Sequence, residues 1–333
     1  MANETGTEGR QTGGPAGRHK RKSWIAIISA SLIGFLAGGL LTLLLMTVSE
    51  QASSYGTWLF VLVPFATGYV AGMVLAEMEE RPAESYWLAG LLCFVWACLG
   101  MLVSMQEGLV CLLMASIIVV PMIVGGAFFA RYLRNRKSSK RLYFSFLATL
   151  PLTAIYTALQ IPDSEVRVET TEVTIHASPD RIWPYLFKLD ALPLPQNALF
   201  KAGIAYPVST RSEGEFVGAA RKCVLSTGVM PERITALEKN RRLAFHVIDT
   251  PVCMREMNPF GEVHAPHLKG YYRCLEGEFR LIPLGNGWTR LEGTSQYAFN
   301  IYPAPYWALW TDHIVESVHL RVMNEIKKRS ESP

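Results

Sequence analysis

Two folds in series are predicted for this chain: an α-helical bundle that crosses a membrane, then an α+β domain whose curved antiparallel sheet wraps one long C-terminal helix. Three observations carry the prediction. Half of the 333 residues are hydrophobic and mean hydropathy is positive, which suits membrane segments better than one water-soluble core. The long uncharged runs all lie between residues 24 and 160. Beyond them, β-formers from Thr289 to Ile301 give way, after Pro303 and Pro305, to Trp307, Trp310, Ile314, Val315, Val318, Val322 and Ile326, spaced mostly by three and four.

Residues 1–23 are Gly-, Thr- and Arg-rich with almost no large apolar side chain, so they read as a disordered cytoplasmic tail. Five spans follow, at 24–48, 57–76, 86–106, 109–130 and 142–160, each of a length to cross ~30 Å of hydrocarbon. The first is too long for a signal-peptide core and is read as retained. Pro151 and several threonines make the fifth the most polar. No Asp, Glu, Lys, Arg or His falls inside any of them, which removes most support for an ion or proton pathway. Gly34/Gly38 and Gly68/Gly72 have the spacing that lets helices approach closely, here read as packing within the bundle.

Charge fixes the expected orientation. Arg10, Arg18, Lys20, Arg21 and Lys22 precede the first span, and six basic residues lie between Arg131 and Arg141. The loops 49–56 and 106–108 carry none. Both basic segments are therefore placed in the cytoplasm. A fifth span puts the C-terminal domain outside it, whereas a surface-lying 142–160 would leave the domain cytoplasmic. Residues 161–333 hold 20 basic and 20 acidic side chains, so the net +4 is a topology signal and nucleic acid is not an expected partner.

The domain 161–333 opens with a strand, Val166–His176, and a short helix, Pro179–Leu189, with Ser178 at its N-cap and Pro179 at its first position. Strand-like runs follow at 203–210, 214–226, 232–238, 242–248, 270–283 and 287–301, the last two joined by Gly285-Asn286-Gly287. Strand, helix, several strands and a long final helix is the order of a helix-grip fold. The phrases VTIHASPDRIWPYL and WTRLEGTSQYAFNIYPAPYWALWTDHIVESVHLRVMNEIK resemble the opening and close of the START/polyketide cyclase-like (SRPBCC) superfamily, in particular a membrane-attached bacterial branch of it. The resemblance covers roughly residues 166–329 and implies an internal cavity for an apolar small molecule. It says nothing of the first half.

The long insert 249–269 holds Met254, Met257, Phe260, His264 and His267 and reads as a lid over that cavity. His264-Ala265-Pro266-His267 is a compact histidine pair, but two histidines on a proline-broken loop fall short of a zinc ligand set, so no metal and no cofactor are expected. Glu292 could serve as a buried acid or be held by a basic neighbour. His313, Glu316 and His319 on the final helix do not converge. Cys253 and Cys274 could bridge the insert in an exported domain; free thiols are the simpler reading. The expected ligand contacts are His246, Met254, Phe260, His264, His267, Glu292, Tyr297, Trp307 and Trp310. No nucleophile elbow, P-loop, dinucleotide fingerprint or HExxH is present. The resulting expectation is a membrane-anchored binding protein for a hydrophobic or lipid-like molecule. The alternatives are a cyclase- or hydrolase-like enzyme, with Glu292, His246 or His264 as acid or base, and a membrane-tethered scaffold with a filled interior. Oligomeric state is left open.

Overall fold

The computed structural model describes residues 15–48, 55–78, 82–135, 149, 151–156, 164–263 and 265–332. The chain packs as two compact units. One is Met1–Leu44, Val61–Ala97 and Ile117–Ala154; the other joins Leu45–Phe60 and Cys98–Ser116 to Ile155–Pro333. The loops leading out of the first and third long helices thus belong with the C-terminal half.

Among the described residues, four long apolar helices are α1 (Pro15–Val48), α2 (Val63–Met78, entered through a π-helical turn at Trp58–Leu62), α3 (Ala83–Val103) and α4 (Leu109–Arg134). Their apolar stretches run for 24, 21, 21 and 26 residues, enough to cross a bilayer. Leu36, Leu40, Leu99 and Ile117 remain exposed, as helices facing hydrocarbon require. In the first unit the glycine spacing serves close packing: a Cβ on Gly34 would fall 2.7 Å from the carbonyl oxygen of Thr67, and one on Gly72 2.5 Å from that of Ala127. α1 begins at Pro15, so residues 15–23, assigned to the tail by sequence, are helical; residues 1–14 lie outside the described residues. Most of the expected fifth span also lies outside them, with residues 149 and 151–156 helical.

The C-terminal half is a helix-grip domain. Eight antiparallel strands run β1 (Glu165–Ile175), β2 (Lys188–Leu189), β3 (Pro207–Ser212), β4 (Ala220–Leu225), β5 (Gly228–Glu238), β6 (Arg242–Val247), β7 (Tyr272–Gly285) and β8 (Trp288–Phe299). Their order is β1-β8-β7-β6-β5-β4-β3-β2, a meander that β1 closes by pairing with β8. Helix α5 (Pro179–Phe187) and the short α6 (Ala198–Lys201) separate the first strands, and α7 (Ala304–Glu331) packs against β1. Ser178 sits at the N-cap of α5 and Pro179 opens it, although the serine side chain makes no capping bond. Gly285, Asn286 and Gly287 all have positive φ, the hairpin backbone their sequence predicts.

On β8 the alternation holds: Leu291, Gly293 and Tyr297 are buried on the inner face, and Glu292, Thr294 and Gln296 line a groove on the outer one. The core lies at the α5 end, where Ile175, Ile182, Leu186, Phe279, Leu291 and Met323 pack together. The buried face of α7 holds Trp307, Val315 and Ile326 of the expected stripe together with Ala308, His319 and Met323, while Trp310, Ile314, Val318 and Val322 are half-buried. His319 takes a core position because two hydroxyls satisfy it: Thr171 Oγ1 lies 3.0 Å from Nδ1 and Ser295 Oγ 2.7 Å from Nε2.

Candidate functional site

Two features at the insert end of the domain have functional chemistry. The first is the inner sheet wall around Tyr272 and Cys274. Between Cys274 and Glu276 the β7–β8 register shifts, and this bulge lets Tyr272 and Cys274 share the inner face with Gly277 and Phe279. Tyr272 and Cys274 are half-buried on this inner face, and Cys274 packs against the apolar core. Tyr297 borders them, with its ring centroid 5.5 Å from that of Tyr272. Among the described residues the Tyr272 hydroxyl has no hydrogen-bond partner.

A buried ion pair lies nearby. Arg221 and Glu232 stand directly opposite each other across the β4–β5 hairpin, and their side chains pair, with the guanidinium 4.3 Å from the centre of the Phe245 ring. Burial pushes the Glu232 carboxyl up, and Arg221 opposes the shift. Burial, with Glu232's charge adding, pushes the Cys223 and Cys274 thiols up to about 12. Both therefore stay protonated near neutral pH and are poor nucleophiles. Cys253 and Cys274 are unbridged, as are the other four cysteines.

The second feature is a polar cluster within the C-terminal unit, where the insert meets the α3–α4 loop. Tyr55 Oη donates to Glu107 Oε1 at 2.7 Å. The backbone N–H of Cys111 donates to Glu256 Oε1 at 3.2 Å, and Leu109 N–H to Met257 O at 2.8 Å. An acid from the insert thus satisfies the open amide end of α4. Asn258 Nδ2 donates to the carbonyls of Leu102 and Glu107 at 3.0 and 2.9 Å, fixing the same junction. Gly108 makes room for it, since a Cβ there would stand 2.2 Å from Glu256 Oε2. His267 completes the cluster: Nε2 is 3.2 Å from Cys111 Sγ, and Nδ1 is 3.5 Å from Glu107 Oε1.

The electrostatics follow from burial. Glu107 is pushed up to about 8 by desolvation, against the Tyr55 hydrogen bond and with help from Glu256's charge. Desolvation raises Glu256 and Tyr55 too, and takes His267 down to about 4. A neutral imidazole makes the 3.5 Å approach to Glu107 a polar contact and not an ion pair. Donor atoms of Glu107, Cys111, Glu256 and His267 all lie within 4.8 Å of one another, a set chemically able to hold a metal ion.

The residues singled out from sequence are dispersed. Met254 is buried beside this cluster, its Sδ 3.8 Å from Cys111 Sγ, and His267 is a member. Tyr297 and Trp307 are buried; the Tyr297 hydroxyl bonds Asp312, and Trp307 packs edge-on against Phe60 at 5.2 Å. Trp310 is half-buried and Phe260 exposed. His246 is exposed on β6, and Glu292 lies on the outer face of β8, its Oε1 3.0 Å from Arg290 Nε. His264 lies outside the described residues. Sequence reasoning missed Tyr55, Glu107, Cys111, Tyr272 and the Arg221–Glu232 pair.

No family model and no curated protein matches this chain. Among solved structures it is similar to truncated norcoclaurine synthase from Thalictrum flavum, at 12% identity and TM-score 0.32 over 53% of this chain and 99% of that one. It is also similar to the Zhui aromatase/cyclase from Streptomyces sp. R1128, at 15% identity and TM-score 0.32 over 50% and 94%. A Nitrosospira multiformis protein gives 15% identity and TM-score 0.32 over 50% and 97%. Likeness at this level carries no statement about substrate or reaction.

Proposed function

We propose that this protein is a membrane-anchored binding protein for an apolar small molecule, held in the hollow of its helix-grip domain. The observation that supports the reading is the half-buried inner wall at Tyr272 and Cys274, with the Tyr272 hydroxyl unpartnered among the described residues. An apolar guest there would be held by surface burial at about 25 cal/mol per Å². The unpartnered Tyr272 hydroxyl would orient one polar atom of that guest. Protonated thiols and the self-paired Arg221 and Glu232 leave no activated nucleophile at this wall, which favours binding over catalysis.

Orientation belongs to the same proposal. Tyr302 N–H donates to Tyr55 O at 2.7 Å, and the insert binds the loop around Glu107. Those two loops carry no basic residue, while Arg131 and Arg134 end α4 at its other terminus. The charge rule then favours a domain outside the cytoplasm and a chain that crosses again between Arg134 and Glu165. A C-terminal alkaline phosphatase fusion, active only outside the cytoplasm, should be active; an inactive fusion with an active cytoplasmic reporter at the same position reverses the orientation.

Binding is tested on the full chain in detergent by native mass spectrometry with solvent extraction. Wild type should carry an apolar species that Cys274→Phe, which fills the hollow, lacks. With a real hollow the variant should melt near wild type; a wild type free of bound species, or overpacking that costs about 1–3 kcal/mol, removes the reading.

A further inference from the structure

We propose that Glu107, Cys111, Glu256 and His267 form a binding site for a divalent transition-metal cation, with zinc the ion this donor set suits. One thiol, one imidazole and two carboxylates are a zinc-type complement, and zinc is commonly held by four such groups. Bonds of about 2.0–2.3 Å in a tetrahedron place ligand atoms roughly 3.4–3.8 Å apart. The group's span of at most 4.8 Å, with Cys111 Sγ and His267 Nε2 already at 3.2 Å, is within small side-chain adjustments of that.

A second, independent observation is the way each carboxylate is tied. Tyr55 holds Glu107 by Oε1 and the Cys111 amide holds Glu256 by Oε1. The other oxygen of each, Oε2, is buried without a hydrogen-bond partner, and so is His267 Nδ1. Glu107 and His267 are only 9% and 6% exposed, so these atoms cannot turn to bulk water. Leaving three polar atoms unsatisfied in one small space is unfavourable, because each has lost its water without gaining a partner. A cation held by both Oε2 atoms, Cys111 Sγ and one ring nitrogen of His267 satisfies the two carboxylates at once and balances their charge. The outer contacts are of the kind that orient metal ligands, with Tyr55 and a backbone N–H each fixing one acid.

Two ligands come from the α3–α4 junction and two from the insert, so the ion would clasp the insert to the start of α4. Four protein ligands leave no open position, which makes the site a structural clasp and not a catalytic one. The inference is independent of the ligand reading above, since it draws on none of the hollow's residues.

The test uses the full chain in detergent, stripped with a chelator, dialysed and titrated with Zn2+ or Co2+. One Zn2+ per chain is expected by elemental analysis. Co2+ should give tetrahedral visible bands with a thiolate charge-transfer absorption that Cys111→Ser abolishes. Tyr55→Phe, which keeps every ligand, should weaken Zn2+ binding roughly 10–100-fold. Glu256→Gln should weaken it further, and circular dichroism melts verify that each variant folds. If Cys111→Ser does not fold, Tyr55→Phe and Glu256→Gln still decide the matter. No stoichiometric Zn2+ on wild type, or binding that these substitutions leave unchanged, overturns the site and leaves protonated carboxylates around a trapped water.

Discussion

The two ends of the helix-grip domain solve burial differently. At the α5 end, Ile182, Leu186, Phe279, Leu291, Met323 and Ile326 fill the space between sheet and helix with apolar side chains. At the insert end the interior holds Tyr272, Cys274, Cys253 and His267, with carboxylates from the α3–α4 loop and the insert alongside. One sheet serves both, and the difference lies in the side chains together with the β7 bulge between Cys274 and Glu276. Apolar packing supplies stability where nothing has to enter. On the two readings proposed above, buried polar groups are kept where a guest or an ion would complete them.

The sharpest way to break this contrast is truncation at each end. Leu291→Ala or Phe279→Ala at the α5 end should cost about 3–5 kcal/mol, because neighbours locked on three sides cannot collapse into the void. Cys274→Ala, beside the hollow proposed above, should cost less than about 1 kcal/mol. Thermal melts of the full chain in detergent, followed by near-UV circular dichroism, compare them directly. Equal losses would mean that the insert end is packed as tightly as the core.

Protonation gives the next effect. His319 is buried and neutral, its pKa taken down to about 4 by desolvation, against about 6.5 in the unfolded chain. The unfolded state therefore binds a proton more readily, and the stability held by the neutral ring is present above pH 6.5 and lost as pH falls through 4. The upper bound for this one group is about 3 kcal/mol. His319→Asn should flatten the acid limb of the stability–pH curve between those values; an unchanged limb would assign the acid lability elsewhere.

Much of this architecture is legible in the sequence because it is written in local periodicity. The apolar runs give α1 to α4, the Gly285-Asn286-Gly287 turn gives the last hairpin, and alternation from Leu291 to Tyr297 assigns both faces of β8. What escapes is contact between distant segments. Tyr55, Glu107, Cys111, Glu256 and His267 come from four separate stretches, and each alone is an ordinary loop or helix residue. Reasoning by neighbours in sequence instead selects the His264–His267 pair. The bulge after Cys274 is equally silent, since an extra residue in a strand has no compositional mark. The run 214–226 is strand only over Ala220–Leu225, and β5 begins at Gly228 and not at 232, because the Ser226–Thr227 turn lacks the usual Asn-Gly or Asp-Gly signal. The facing register of Arg221 and Glu232 is hidden with it.

A smaller perturbation probes the junction between insert and loop. Gly108→Ala would drive a methyl group into Glu256, 2.2 Å from Oε2 and 2.7 Å from Cβ, and the acid would have to leave the amide end of α4. A loss of about 1–2 kcal/mol is expected, with faster proteolysis within residues 249–269 and an unchanged melt of the apolar core. Slower or equal cleavage would show that the insert is held by Asn258 and Met257 alone.

The smallest effects are expected on the outer sheet face, and they delimit the hollow by exclusion. His246 is exposed, and Glu292 meets Arg290 where solvent screens the pair. Glu292→Gln and His246→Ala should each shift stability by no more than about 0.5 kcal/mol. Both should leave the amount of co-purified apolar ligand unchanged, because neither side chain lies on the wall formed by Tyr272 and Cys274. A variant on this face that empties the protein of its ligand would move the binding surface to the outer groove among Arg242, Glu278, Arg280 and Gln296. Such a groove, lined by charge on both sides, would select a polar guest, so the chemistry of the bound species and the response of these two residues must agree.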